Sequence, residues 1–287
     1  MKYLFFSVVL LLSHVAQAAI SEIKVIDQGG SGPFTAIAVS DDTLPNYVVY
    51  RPKHIDRARQ KGGELPVIIF ANGGCNDTSL PFERMLSQIA SHGYVVIALG
   101  AMQHSLDDRP LNKSPNAQMS AAIDWISAQN SEQQSDYYQA IDLNHIAFTG
   151  QSCGGAQVLA TAAEPRVSTY IMFNSGIGDM TMSGATREDL TNLHAPIVYI
   201  VGGESDIAYQ NALLDYQRIT QVPVGFANAL HGGHSGTYET PYGGSFTRMA
   251  LKWLDWQLKG RQANAAVFLH NNLDEFPDWT MDAKQFD

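Results

Sequence analysis

The feature that most constrains the fold is the alternation of short apolar runs with amphipathic stretches. Buried strands are predicted at residues 65–71, 94–99, 145–149, 170–173, 196–201 and 222–229. Helical periodicity fills the intervals, at residues 82–92, 116–126, 156–163, 207–219 and 245–258. This alternation predicts an α/β fold with a mainly parallel central sheet and helices on both faces. Early edge strands are predicted at residues 21–39 and 47–51. The tail from Arg261 onward is expected to pack on the surface.

The first 18 residues have the pattern of a cleavable export signal. Lys2 places a positive charge at the start, and residues 3–12 are mostly apolar. Ala16 and Ala18 are small residues at the two positions that a signal peptidase recognises before the cleavage site. The apolar core is shorter than the ~20 residues that span a bilayer, which disfavours a retained membrane anchor. We therefore expect one domain over residues 19–287, secreted or periplasmic and without a stable membrane anchor.

The charge of the chain bears on its partners. The sequence has 18 Lys and Arg against 28 Asp and Glu, a formal net charge of −10 at pH 7. An acidic surface argues against nucleic acid as a partner. The negative charge does not argue against an uncharged substrate. No sequence feature specifies an oligomeric state.

The segment Gly-Gln-Ser-Cys-Gly at residues 150–154 is the strongest chemical motif. It follows an apolar strand and opens a small-residue helix, which is the setting of a nucleophile elbow. Such a sharp turn presents Ser152 as a nucleophile, and Gly150 and Gly154 let the flanking backbones approach each other. The helix N-terminus favours negative charge, and the Cys153 N–H is placed to donate to an oxyanion. A Gly-rich turn without chemistry is the alternative, whereas a phosphate-binding loop would have a Lys after the glycines.

A triad on this elbow needs an acid and then a histidine in chain order. Asp206 follows a late strand and is the preferred acid, with Glu204 as a competitor and a helix N-cap as its ordinary role. His231 and His234 follow the last predicted core strand, and His234 is the preferred base because it lies deeper in the loop. No metal site is expected, because no suitable carboxylate or thiolate cluster surrounds the histidines.

A second oxyanion donor is expected from the turn after the strand at residues 65–71. Asn72-Gly73-Gly74-Cys75 occupies that turn, and its glycines let a backbone N–H point inward. The Cys75 N–H is the preferred donor and the Gly74 N–H is the alternative. A plain tight turn is the remaining interpretation.

Three segments together resemble a known family. The Gly-Gln-Ser-Cys-Gly-Gly elbow, the Asn-Gly-Gly-Cys turn and a Gly-His-Ser-Gly-Thr-Tyr segment are similar to the dienelactone-hydrolase-like branch of the α/β-hydrolase superfamily. Secreted esterases and polyester hydrolases share this layout, and the resemblance covers residues 66–258. It implies an α/β-hydrolase fold, carboxylic ester hydrolysis without a cofactor, and a triad of Ser152, Asp206 and His234. Dienelactone hydrolases proper have a cysteine nucleophile, so the serine here argues against dienelactone as the substrate.

The resemblance also gives the two cysteines a meaning. In this fold the loops that carry Cys75 and Cys153 meet around one oxyanion, which implies a Cys75–Cys153 disulfide across the oxyanion hole. Export permits such a bond. Two separate buried thiols are the alternative, because a disulfide needs strict geometry.

Insertions between the predicted elements are short. Residues 176–194 form the longest excursion between late strands, enough for a small flap but too short for a cap domain. An open site with little or no cap is therefore expected. Tyr238, Tyr242 and Met102 are expected at its wall, because their loops lie near the predicted site.

The expected function is hydrolysis of a small-molecule or polymeric carboxylic ester through an acyl-enzyme on Ser152. A peptidase or an acyltransferase with the same triad is the closest rival. A non-catalytic binding protein on the same fold is the second rival. Such proteins usually lack a triad member, and none is missing here.

Overall fold

The structure is a computed structural model that describes residues 20–286. The predicted export signal, residues 1–18, lies outside the described residues. Among the helices of residues 20–286, none is long and apolar enough to cross a membrane.

One ten-stranded sheet organises the described chain. Its strands are β1 (Ile20–Lys24), β2 (Ala36–Asp41), β3 (Tyr47–Pro52), β4 (Leu65–Ala71), β5 (Val95–Leu99), β6 (Ile141–Gln151), β7 (Thr169–Phe173), β8 (Ile197–Val201), β9 (Val224–Ala229) and β10 (Trp279–Lys284). The accompanying α-helices are α1 (Ile55–Gly62), α2 (Glu83–Ser91), α3 (Gln118–Ser131), α4 (Cys153–Ala160), α5 (Tyr209–Arg218), α6 (Gly244–Lys259) and α7 (Ala265–Leu269).

The strand order is β1-β2-β3-β5-β4-β6-β7-β8-β9-β10. Every pair from β5 through β4, β6, β7 and β8 to β9 is parallel. The outer pairs, β1 with β2, β2 with β3, β3 with β5 and β9 with β10, are antiparallel. The predicted mainly parallel sheet is therefore confirmed, with antiparallel strands added at both edges.

Burial on both faces explains why the parallel strands have nearly continuous apolar sequences. All residues of β4 (LPVIIFA), β5 (VVIAL) and β8 (IVYIV) are buried. Helices α1, α3, α4 and α5 pack on one face of the sheet, and α2, α6 and α7 pack on the other. This arrangement of helices on both sides of a mainly parallel sheet is the α/β-hydrolase fold that the sequence predicted.

A buried polar contact fastens α6 to the sheet. The Trp253 indole Nε1–H donates to the Thr169 hydroxyl at 2.8 Å, and that hydroxyl donates to the Pro196 carbonyl at 2.8 Å. Thr169 lies at the start of β7, so this contact is at the opposite end of the strand from the loops described below.

The C-terminal tail departs from the sequence expectation. Residues after 261 form α7 and β10, and β10 pairs antiparallel with β9 to become the edge of the sheet. Trp279 and Met281 are buried, whereas Thr280 and Asp282 between and after them are exposed. This alternation is the signal of a half-exposed edge strand, and it was hidden by the polar composition of the tail. The N-terminal expectation is also refined, because residues 21–39 form two strands separated by irregular chain.

The loops after the parallel strands meet at the edge where open α/β sheets place their ligand sites. The loop after β4 contains the Asn-Gly-Gly-Cys turn, and Ser152 directly follows β6. The loops after β8 and β9 carry Asp206 and His234. Within the described chain, residues 176–194 contribute a short 3₁₀ helix, Arg187–Asn192, rather than a cap domain.

The buried tail leads to a stability prediction. The Trp279 ring lies 5.1 Å from the Phe246 ring and 5.8 Å from the Phe276 ring, between centroids. Trp279→Ala leaves a cavity there and should lower the free energy of unfolding by about 3 kcal/mol or more. The matched control is Thr280→Ala, which removes an exposed side chain of the same strand. Equal effects of the two substitutions in urea unfolding would contradict the packing of β10 onto α6.

Candidate active site

The turn at Ser152 has the strained geometry expected of a nucleophile elbow. Ser152 has φ 53° and ψ −119°, in the left-handed half of φ space that L residues avoid. A Cβ on Gly150 would lie 2.3 Å from the Gly154 carbonyl oxygen, and one on Gly154 would lie 2.1 Å from the Ala71 carbonyl oxygen. Both contacts are with backbone, which cannot move aside, so the turn requires glycine at both positions.

The predicted serine, histidine and aspartate are joined by two hydrogen bonds. His234 Nε2 lies 2.9 Å from Ser152 Oγ, and His234 Nδ1 lies 2.7 Å from Asp206 Oδ1. Because an ionised carboxylate only accepts, Nδ1 carries the proton and Nε2 is left to accept from the serine hydroxyl. The Asp206 side chain is fully buried, whereas that of His234 is 28% exposed at the cleft.

The Asp206 carboxylate is held in its charged form by several donors. Burial alone would raise its pKa. Hydrogen bonds from His234, the Ala208 N–H, the Asn174 amide and the Gly202 N–H outweigh burial, and together they lower the pKa below its ordinary value. A buried carboxylate that stays ionised is the partner that an imidazolium needs.

The competing residues of the same loops lie outside this chain of hydrogen bonds. Glu204 and His231 are both exposed. The geometry therefore brings together the preferred members of each predicted pair. Within residues 20–286, no group of three or more His, Cys, Asp or Glu is arranged to hold a metal ion.

The geometry corrects one predicted oxyanion donor. The Cys75 N–H donates to the Asn72 carbonyl at 3.0 Å within a 3₁₀ turn, so it is committed there and not available to an oxyanion. The Gly73 carbonyl accepts a hydrogen bond from the Asn76 N–H at 3.2 Å. In a trans peptide the N–H points opposite to the carbonyl, so the Gly74 N–H of the same peptide points away from Asn76. Gly74 also lines the cleft, so its N–H is the better candidate.

The other predicted donor, the Cys153 N–H, is at the first position of α4. The first N–H groups of a helix have no acceptor within the helix. This N–H and the helix dipole therefore favour negative charge beside Ser152.

The predicted disulfide is present. Cys75 and Cys153 are bonded, with their Cα atoms 5.1 Å apart. The bond joins the turn after β4 to the residue that follows Ser152. It therefore holds the two stretches of backbone from which the candidate oxyanion donors come.

A cleft of about 510 Å³ opens at Ser152 and His234. Its remaining walls come from the turn after β4, the start of α2 and the loop after β9, and include Gly73, Gly74, Pro81, Phe82, Gln151, Gly236, Thr237, Tyr238, Glu239 and Thr240. Of the expected wall residues, Tyr238 lines the cleft. Tyr242 and Met102 are not among the described residues that line it.

A larger cleft of about 1010 Å³ lies elsewhere, around α1. Its lining is mostly polar and includes the basic residues Arg51, Lys53, Arg57, Arg59 and Lys61. It holds neither Ser152 nor His234, so size does not identify the site. The Ser152 cleft is the candidate active site because it contains the paired nucleophile and base.

Polar residues that were not predicted as part of the site hydrogen-bond to the residues and loops of the triad. Asn174 and Ser175 directly follow β7 and are buried. Asn174 donates to Asp206 Oδ2 at 2.7 Å, and Ser175 Oγ donates to the Ser152 carbonyl at 2.7 Å. The Gln151 amide donates to the His234 carbonyl at 3.1 Å. A polar Asn-Ser pair at the end of an apolar strand, on the edge that carries the triad, was the signal available in the sequence.

The fold and the strand-to-helix serine turn define an α/β-hydrolase. The chain belongs to the PET hydrolase-like family, which matches residues 30–255. Membership in this family supports the assignment of the chain as a hydrolase that acts on esters.

Two curated relatives are uncharacterized proteins of Mycobacterium tuberculosis, from strains CDC 1551 / Oshkosh and ATCC 25618 / H37Rv. Each is 25% identical to this chain over 166 residues, which is 51% of this chain and 54% of the relative. The chain thus spans about half the length of the curated relatives it matches. Because both relatives are uncharacterized, their similarity gives no information on activity beyond that from the family.

The disulfide leads to a chemical and a thermodynamic prediction. The unreduced protein should show no reactive thiol after unfolding in denaturant, and Cys75→Ala/Cys153→Ala should lose about 2–4 kcal/mol of unfolding free energy. The loss is expected because the bond restricts the unfolded chain. Titration with a thiol reagent and urea unfolding measure the two effects. Two free thiols in the unreduced protein would contradict the bond.

Proposed function

We propose that this protein is a secreted serine hydrolase that cleaves carboxylic esters through an acyl-enzyme intermediate. The observation that carries the proposal is the continuous chain of hydrogen bonds from Ser152 Oγ through His234 to Asp206, open to the cleft. Nucleophile, base and orienting acid in hydrogen-bond contact are the arrangement that acyl transfer on serine requires.

The first step is attack on the ester carbonyl. Ser152 Oγ forms a bond to the carbonyl carbon while its proton passes to His234 Nε2. The imidazolium that results is stabilised by the ionised Asp206. The N–H groups of Cys153 and Gly74 are assigned to the developing oxyanion, and each such donor typically lowers the barrier by about 3 kcal/mol.

The second half of the reaction returns the enzyme. The imidazolium gives its proton to the alcohol oxygen as the carbon–oxygen bond breaks, which leaves an acyl group on Ser152. Water then attacks the acyl carbonyl, with His234 taking its proton. Collapse of this second tetrahedral intermediate releases the carboxylic acid and restores the serine hydroxyl.

The family and the shape of the site guide the substrate class. The PET hydrolase-like family favours an ester or polyester substrate. No cap domain stands over the cleft in the described chain, which suits a small ester or a segment of a polymer. The Cys75–Cys153 bond favours an oxidising compartment, which agrees with the export signal predicted for residues 1–18.

Substitution of the triad tests this function. Ser152→Ala and His234→Ala should each lower kcat on p-nitrophenyl butyrate by roughly 10⁴-fold or more, because the nucleophile or its base is lost. His231→Ala and Glu204→Gln are the matched controls from the same loops, and their kcat should stay within about threefold of wild type.

Parallel assays with a matched amide and with a polyester film separate the rival activities. Faster cleavage of the amide than of the ester would favour a peptidase, and dominant transfer of the acyl group to an added alcohol would favour an acyltransferase. No turnover of any ester by the wild type, or full turnover by Ser152→Ala, would refute the esterase proposal.

A further inference from the structure

A buried asparagine links the loop that carries the acid to the loop that carries the base. Asn174 is fully buried at the end of β7. Its amide Nδ2 donates to Asp206 Oδ2 at 2.7 Å and to the Gly233 carbonyl at 2.9 Å. Gly233 immediately precedes His234, so one amide group contacts both the acid and the backbone next to the base.

The orientation of this amide is fixed by a third contact. Asn174 Oδ1 accepts a hydrogen bond from the Tyr238 hydroxyl, so both amide hydrogens are left for Asp206 and Gly233. A flipped amide would place two hydrogens against the tyrosine and an oxygen against the carboxylate. The network therefore admits only one orientation of the side chain.

Tyr238 is itself held by aromatic packing. Its ring contacts those of Phe82, Phe173 and Phe246 edge-on, at centroid distances of 5.3, 5.9 and 5.5 Å. Burial, reinforced by the nearby Asp206 charge, raises the pKa of Tyr238 well above its ordinary value. The hydroxyl is therefore a neutral donor throughout the range in which an esterase would work.

The backbone at this position also favours asparagine. Asn174 has φ 42°, and asparagine is among the few residues other than glycine that tolerate the left-handed region. Its N–H donates to the Ile200 carbonyl at 2.8 Å, which anchors the turn to β8. The left-handed turn ends the alternation of side chains along β7, and the Asn174 amide reaches the Asp206 loop.

We propose that Asn174 is a positioning residue that fixes Asp206 and the His234 loop relative to each other, with Tyr238 orienting its amide. This inference rests on the proposed esterase function. Asn174 acts through Asp206 and His234, because its side chain hydrogen-bonds to the acid, to the backbone beside the base and to Tyr238.

Asn174→Gly is the first test, because glycine tolerates the left-handed backbone while the side chain that carries the amide is removed. We expect kcat on p-nitrophenyl butyrate to fall by about 100-fold with KM within about threefold, since a small displacement of catalytic groups costs this much. Tyr238→Phe keeps the ring packing and frees the amide to rotate. It should lower kcat by about tenfold.

Asn174→Asp adds a readout that a merely structural role would not move. The titratable groups that contact residue 174 are Asp206 and Tyr238, and His234 is bonded to the other oxygen of Asp206. A second carboxylate in contact with Asp206 shares a proton with it at low pH, and once both are ionised the added negative charge favours the imidazolium form of the base. The acid limb of the kcat/KM profile should therefore move to higher pH.

The matched control is Thr169→Val. It removes a buried hydroxyl with two hydrogen bonds at the far end of β7, so it should lower Tm while kcat, KM and the acid limb stay within error of wild type. A loss of kcat in Thr169→Val equal to that in Asn174→Gly at the same loss of Tm would overturn the positioning role.

Two further outcomes decide the inference, the first where a variant fails to fold and the second where no ester is turned over. Wild-type kcat and pH profile in Asn174→Gly and Asn174→Asp, or in Tyr238→Phe where those two do not fold, would overturn it. A carboxyl-carbon NMR titration measures the acid directly, and Asn174→Gly should raise the pKa of Asp206 because a stabilising donor is lost. This shift is expected even if no ester is turned over, so failure of the esterase proposal is distinguishable from failure of the positioning role.

Discussion

The close contact between the end of β4 and the start of α4 is the constraint on which the rest of the site depends. The Gly154 Cα faces the Ala71 carbonyl so closely that no side chain fits between them, and the Cys75–Cys153 bond fastens the same two segments. This contact accompanies the left-handed turn at Ser152, and it holds together the two loops from which the candidate oxyanion donors come. The disulfide therefore lies directly beside Ser152, the proposed nucleophile.

A second requirement is a charged acid in the interior. Removing a carboxylate from water is costly unless donors replace the water, and Asp206 receives hydrogen bonds from four protein groups. The loops after three strands supply these groups. Gly202 and Ala208 follow β8, Asn174 follows β7, and His234 follows β9. The edge of a parallel sheet suits this arrangement because several strand ends converge on one carboxylate.

Features that depend on local sequence or on strand order could be predicted from the sequence, whereas features that depend on contacts between distant segments could not. The elbow at Ser152 could be recognised because local sterics require glycine on both sides of it, and Asp206 and His234 followed from the order of the strands. The β10 strand was missed because only the alternation at Trp279 and Met281 marks it within a polar tail. The commitment of the Cys75 N–H to the Asn72 carbonyl is set by three-dimensional geometry that leaves no local pattern. The polar Asn174-Ser175 pair marks the end of β7 in the sequence, but the contacts of Asn174 with Asp206 and Gly233 depend on how the loops after β7, β8 and β9 pack together.

The central claim, that Ser152 is a nucleophile activated by His234, is tested most directly by trapping the covalent adduct. The protein is incubated with a fluorophosphonate and the modified residue is located by peptide mass spectrometry. We expect a single adduct on Ser152, formed rapidly by the wild type, much more slowly by His234→Ala and not at all by Ser152→Ala. An adduct on another residue, or equal rates in the wild type and His234→Ala, would contradict it.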